Sequence, residues 1–137
     1  MLVVAIIAVV AAIALPSFQG YMDRAKVAQA TSDIRSIDVA VAQYDSDKHT
    51  LPDDLADLGK GSFIDPWGNP YQYLNLGDAH GMGQARKDLS LVPINSDYDL
   101  YSKGKDGRSA SPLTAQHSRD DIVRGRNGGF VGLASDF

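Results

Sequence analysis

Three aspartates near the end of the chain, Asp106, Asp120 and Asp121, come closest to a chemically useful arrangement. They sit in or beside glycine-rich stretches, KGKDG and DDIVRGRNGG, in a chain without cysteine to close a loop by a disulfide. Calcium takes about six to eight oxygens from carboxylates and carbonyls, commonly in loops with little other support. These three carboxylates could furnish such a site, although solvated loop aspartates look the same in sequence. A second acidic pair, Asp53 and Asp54, precedes Leu55 and Leu58 and reads as helix-start carboxylates rather than metal ligands.

Catalysis finds less support. A serine nucleophile needs a histidine base and an orienting acid. His117-Ser118-Arg119-Asp120 contains the residue types, but no nucleophile motif surrounds them and the setting reads as a loop. His80, isolated beside Gly81, reads as a solvated loop residue. No glycine-rich phosphate cradle follows a strand, and no His-Cys metal motif is present. The net charge of −4 removes a basic nucleic-acid surface from consideration, and equally a folded domain drawn to anionic lipid.

The elements that must position these residues begin with a membrane signal. Residues 1–15, MLVVAIIAVVAAIAL, are all apolar, and polar residues follow Pro16 at once. A spanning helix needs about 20 apolar residues, so the run is short for that role. A cleaved signal peptide has an apolar region of the right length, but no Lys or Arg precedes this one. A soluble core helix would carry a polar face, and this run has none. The reading that fits the next residues is a spanning helix whose first few residues lie outside the sequence.

From Ser17 to Tyr44 the helix continues. Val27, Ala30, Ile34, Ile37, Val41 and Tyr44 recur at three- and four-residue steps, one stripe for packing on a sheet. Asp23, Arg24, Lys26, Asp33, Arg35 and Asp38 are expected on the opposite face, with Arg24 and Lys26 placed to meet headgroups. Pro16 should kink or loosen the helix without ending it. With 137 residues, the chain is one small domain with an appendage: residues 1–16 as apolar tip and 17–137 as the globular part.

The second half is loop-rich, holding most of the thirteen glycines and six prolines. DPWGNPYQY imposes a turn through its prolines and Gly68-Asn69, and Tyr71, Tyr73 and Leu74 alternate with Gln72 as a strand would. Trp67 is expected to plug the core beneath that turn. Residues 77–88 read as polar and irregular. Residues 89–94 and 97–102 suggest an antiparallel pair about Asn95-Ser96, with Tyr98, Leu100 and Ser102 on one face and Asp99 and Tyr101 on the other. Lys103-Gly104-Lys105-Asp106-Gly107 then reads as a turn.

VVAIIAVVAAIALPSF running into a long amphipathic helix resembles the N-terminal helix of type IV pilins and type II secretion pseudopilins. DPWGNPYQYLN followed by YDLYSKGKDG is similar, more narrowly, to the major pseudopilin of type II secretion. The resemblance implies an α+β fold, a long N-terminal helix packed on a small antiparallel sheet with an ordered C-terminal loop. It implies calcium held by the Lys103 carbonyl, Asp106, Asp120 and Asp121, although residues 109–119 make a longer insertion than the family's usual loop. It implies a single-pass protein of the bacterial inner membrane with a periplasmic domain. Its partners would be copies of itself in a helical filament, minor pseudopilins and the inner-membrane secretion platform, with no nucleic acid. Filament growth would help export folded proteins. The resemblance further implies that about six mature residues and a leader precede Met1, supplying the length that a ~30 Å bilayer asks for. A minor type IV pilin or DNA-uptake pseudopilin remains the alternative within the superfamily. A membrane-tethered periplasmic enzyme or binding protein is the alternative outside it.

Overall fold

The structure is a computed structural model describing residues 2–59, 63–77, 83–89 and 91–137, with only the backbone described at 2 and 14–17. His80 therefore lies outside the described residues. Helix α1 spans Leu2–Lys48 and runs through Pro16 and Gly20 without ending. At ~1.5 Å per residue it is about 70 Å long, more than twice the thickness of a bilayer's hydrocarbon. Lys48 in its last turn suits the negative end of the helix dipole.

The expected stripe is the core. Ala30, Ile34, Ile37 and Val41 are at most 1% exposed, and Val27 packs on the same cluster. Asp33 and Asp38 depart from the expected outer face. Each is next in sequence to a buried isoleucine or one step away, so it stands at the edge of the stripe rather than opposite it. Asp33 accepts a hydrogen bond from the Tyr71 hydroxyl at 3.1 Å, and Asp38 accepts one from the Tyr98 hydroxyl.

Among the described residues six strands follow: β1 (Gln72–Asn75), β2 (Lys87–Asp88), β3 (Val92–Pro93), β4 (Tyr98–Ser102), β5 (Ile122–Gly125) and β6 (Phe130–Leu133). An antiparallel sheet has the order β1-β4-β5-β6, and β2 pairs with β3 in a small separate ladder. Alternation along β4 and β5 puts Tyr98, Leu100 and Ile122 under α1. Tyr101 and Val123 fall on the other face, with Ile94, Leu113, Ala134, Phe130 and Phe137. The sheet thus has a core on each side, one roofed by α1 and the other by the C-terminal segments.

The expected pairing of 89–94 with 97–102 does not form. One edge of β4 is paired with β1 from Tyr98 to Tyr101, β5 takes Tyr101 and Ser102 on the other, and Val92–Pro93 folds back on Lys87–Asp88. Asn95 explains the turn away. It is buried, donates to Asp99 Oδ1 and the Arg124 carbonyl, and accepts from the Asn127 N–H, each at 2.9 Å. A side chain bonded in three directions makes a bend, not a hairpin. Residues 87–88, read as irregular, form β2. Asp54 behaves as expected, capping the short 3-10 helix Leu55–Leu58, while the Asp57 carboxylate returns a bond to the Asp54 N–H.

Arg124 joins helix to sheet. Its side chain is 4% exposed, bonds Asp38 on α1 through Nε and Asp97 at 2.9 and 2.8 Å through both terminal nitrogens, and lies 3.9 Å over the Tyr98 ring. Burial pushes the Asp97 carboxyl up, but hydrogen bonds from Arg124 and the Tyr98 N–H outweigh it and hold the group below the usual carboxylate range.

A carboxyl depressed in the folded state contributes stability above its unfolded value, near pH 4, and loses it as pH falls through the folded value. Asp99 and Asp121, pushed up by burial, titrate in the opposite sense. Wild type should therefore lose more stability on acidification below about pH 4 than Asp97→Asn does, read as the difference between their denaturation free energies across pH. In the helical core, Ile34→Ala should cost about 3 kcal/mol, whereas Val39→Ala, 67% exposed, should stay within about 0.5 kcal/mol by the same measurement.

Candidate functional site

Two features stand out on this scaffold, the bare end of α1 and the clasp of loops that leads into β1 and out of β4. At the bare end, Val3, Val4, Ile6, Ile7, Val9 and Val10 are between 55% and 67% exposed. Successive residues turn about 100° around a helix, so this exposure covers every face. By length and composition the helix is apolar enough to cross a membrane. Apolar surface on all sides calls for lipid or other apolar helices around it, and the sheet covers none of it.

The clasp is built by the two turns that stood out in the sequence. Asp65 organises the first: its Oδ1 accepts the N–H groups of Trp67 and Asn69 at 3.0 and 2.8 Å. Its Oδ2 accepts the Ser102 hydroxyl, which in turn accepts the Gly104 N–H at 3.0 Å. Asn69 donates to the Gly104 carbonyl at 3.1 Å. DPWGNP and SKGKDG are thereby one structure. Trp67, as expected, packs partly buried against the main core beneath the turn.

The four residues expected to hold a metal are divided. The Asp106 N–H donates to Asp120 Oδ2 at 3.0 Å, bringing those two together across the turn. Asp106 also accepts the Arg108 N–H at 2.7 Å and stands 3.3 Å from His117 Nδ1. Lys103 lies between Ser102, bonded to Asp65, and Gly104, whose backbone closely approaches Asp120. Gly104 has φ +62°, and a Cβ there would fall 2.2 Å from the Asp120 carbonyl oxygen. Asp121 points elsewhere. Fully buried, its Oδ2 accepts Arg86 at 2.5 Å and the Ser109 hydroxyl at 2.6 Å, while its Oδ1 has no partner among the described residues. Burial pushes its carboxyl up to about 6 against the pull of Ser109 and Arg86. Among the described residues, no three histidine or acidic side chains gather to hold a metal ion.

Arg86 was not singled out by sequence, because its segment looked polar and irregular. It is 3% exposed, and the buried Ala85 beside it was the only local hint. The His117-Ser118 pair offers no nucleophile: Ser118 is fully buried, accepting from the Ala110 N–H at 2.9 Å and donating to the Ala110 carbonyl at 2.8 Å.

Comparison with known proteins gives a consistent picture. The chain is 30% identical over 129 residues to the type II secretion system core protein G of Pseudomonas aeruginosa, covering 79% of this chain and 80% of that protein. It is 31% identical over 128 residues to the Escherichia coli protein of the same name, covering 78% and 77%. It is also 42% identical over 59 residues to the fimbrial protein EcpC of Eikenella corrodens, 43% of this chain and 39% of that one. No family model and no solved structure matches.

Two glycines separate crowding from backbone strain in the clasp. Gly104→Ala should cost about 2 kcal/mol or more, because the carbonyl it meets belongs to the backbone. Gly68→Ala has φ +96° but nothing within 4 Å, and should cost about 1 kcal/mol. Chemical denaturation of the two variants measures the difference.

Proposed function

The chain belongs to the family of the type II secretion system core protein G, the major pseudopilins, and from that premise we propose how its structure does the work. The protein is a structural subunit of a pseudopilus. The apolar end of α1 holds it in the bacterial inner membrane as a single span, with residues 17–137 in the periplasm. On assembly, that same surface leaves lipid and packs against the corresponding surface of neighbouring copies. The filament grows by adding subunits at the membrane, together with minor pseudopilins and the secretion platform, and its growth helps move folded proteins outward.

One observation carries this reading: α1 is a single helix whose first part is apolar on all faces and whose later part is locked to the sheet. A subunit built so can change what surrounds its tip without altering its folded domain. The two environments are equivalent for Val and Ile side chains, since lipid and packed helices are similarly apolar. The role is structural and not catalytic. Support comes from the names of the relatives and from the locked hydroxyl of Ser118. The likeness to a fimbrial protein gives a pilus reading some footing, over a shorter stretch.

A charge at the tip tests the proposal. Val10→Lys places an ammonium where a spanning helix pays about 3 kcal/mol at its centre. It should abolish filaments and export in cells, while the melting temperature of the protein in detergent shifts by less than about 2 °C, since the sheet does not cover the tip. Filaments formed normally by this variant would overturn the reading. Deleting the gene should stop export and leave surface fimbriae intact; the reverse favours a pilus.

A further inference from the structure

The fold family implies a divalent cation among the C-terminal carboxylates, yet the residue facing Asp121 is itself a cation. We infer that the Arg86 guanidinium is the built-in cation of the C-terminal loop, ordering it in the place where a metal would otherwise be needed.

The geometry is that of a hub. One Arg86 terminal nitrogen bonds Asp121 Oδ2 at 2.5 Å and the other bonds the Ser109 hydroxyl, which itself donates to Asp121. The guanidinium lies 4.3 Å over the Tyr101 ring of β4. The Arg86 N–H donates to Asp99 Oδ2 at 2.6 Å, also on β4, and its carbonyl accepts the Ile94 N–H at 2.9 Å. One residue therefore ties together the segment before β2, the centre of the sheet, the loop through Ser109 and the start of β5. Those are the pieces a loop-rich domain without cysteine must fasten by some other means.

Electrostatics favour one cation here over two. The Asp121 charge is already matched by a guanidinium held within a side-chain exposure of 4%. A dication sharing that carboxylate would sit a few ångströms from a fixed positive charge in a poorly screened interior, where repulsion is severe. Asp106 is meanwhile engaged with the Arg108 N–H and faces His117, and Asp120 accepts the Asp106 N–H. Asp121 Oδ1 has no partner among the described residues and is an oxygen on which a bound metal would rest, so calcium itself is the sharpest probe.

The inference does not depend on filament assembly and is tested on the full chain in detergent. Adding millimolar calcium, or EDTA, should move the wild-type melting temperature by less than about 2 °C; a site filled at 100 times its dissociation constant would move it by several degrees. Arg86→Met keeps the bulk and removes the charge, leaving a buried carboxylate alone, and should lower the melting temperature by about 10 °C. The double variant Arg86→Met/Asp121→Leu should recover most of that loss, because replacing both partners of a buried pair removes the stranded charge. A calcium-dependent rise of more than about 5 °C in wild type, abolished by Asp121→Asn, would overturn the inference. So would an Arg86→Met protein that melts like wild type, or a double variant no more stable than the single one.

Discussion

The Arg124 guanidinium, between α1 and the sheet, is the contact on which the rest of the fold depends. It reaches Asp38 on the helix and Asp97 ahead of β4, while its plane covers the ring of Tyr98, whose hydroxyl returns to Asp38. Hydrophobic packing presses α1 onto the sheet but is not directional. A guanidinium fork is directional, and it sets the helix's position along and around its axis. Once α1 is set, Ile34 and Ile37 are placed over Leu100 and Ile122, and the apolar tip projects clear of the domain.

The domain uses two buried arginines, one on each side of the sheet. Arg124 lies under the helix and stacks on Tyr98; Arg86 lies under the C-terminal loop and stacks on Tyr101. Tyr98 and Tyr101 belong to the same central strand and point to opposite faces. Burying charge is costly unless each charge is matched and its hydrogen bonds are made. Here each arginine faces an aspartate and a ring, which offsets much of the expense within a few ångströms, although Arg86 Nε and Asp121 Oδ1 have no partner among the described residues. In return, irregular segments with little apolar surface are held to a sheet without a disulfide. The exposed Lys105–Asp23 pair, at 2.8 Å, adds a weak link between α1 and the turn.

The clasp of DPWGNP on SKGKDG has a related logic. Asp65 has satisfied its own turn with one oxygen and uses the other on Ser102, so the first turn is complete only when the second is docked. Gly104 must then be glycine, because the Asp120 backbone lies where a Cβ would go. Together these contacts make the C-terminal region part of the sheet's architecture, while α1 carries the exposed apolar surface.

Local chemistry was enough for several features. The all-apolar run, the three- and four-residue spacing of Ala30, Ile34, Ile37 and Val41, the Asp54 cap and the DPWGNP turn are encoded within a few residues, and each stands as read. What local pattern could not decide was which distant segments meet. Residues 89–94 carried a strand-like pattern, but β4 pairs with β1 and β5, and Val92–Pro93 pairs with β2 instead. Asp33 and Asp38 looked solvated until the Tyr71 and Tyr98 hydroxyls reached them from the sheet. Arg86 lay in a polar stretch with nothing to mark it, and its partners Ser109 and Asp121 are 23 and 35 residues away. Periodicity reports which face of an element is apolar; it carries no information on the partner of a buried charge. That partner is chosen only when the chain closes on itself, because an unpaired charge in the interior costs more than any local preference returns.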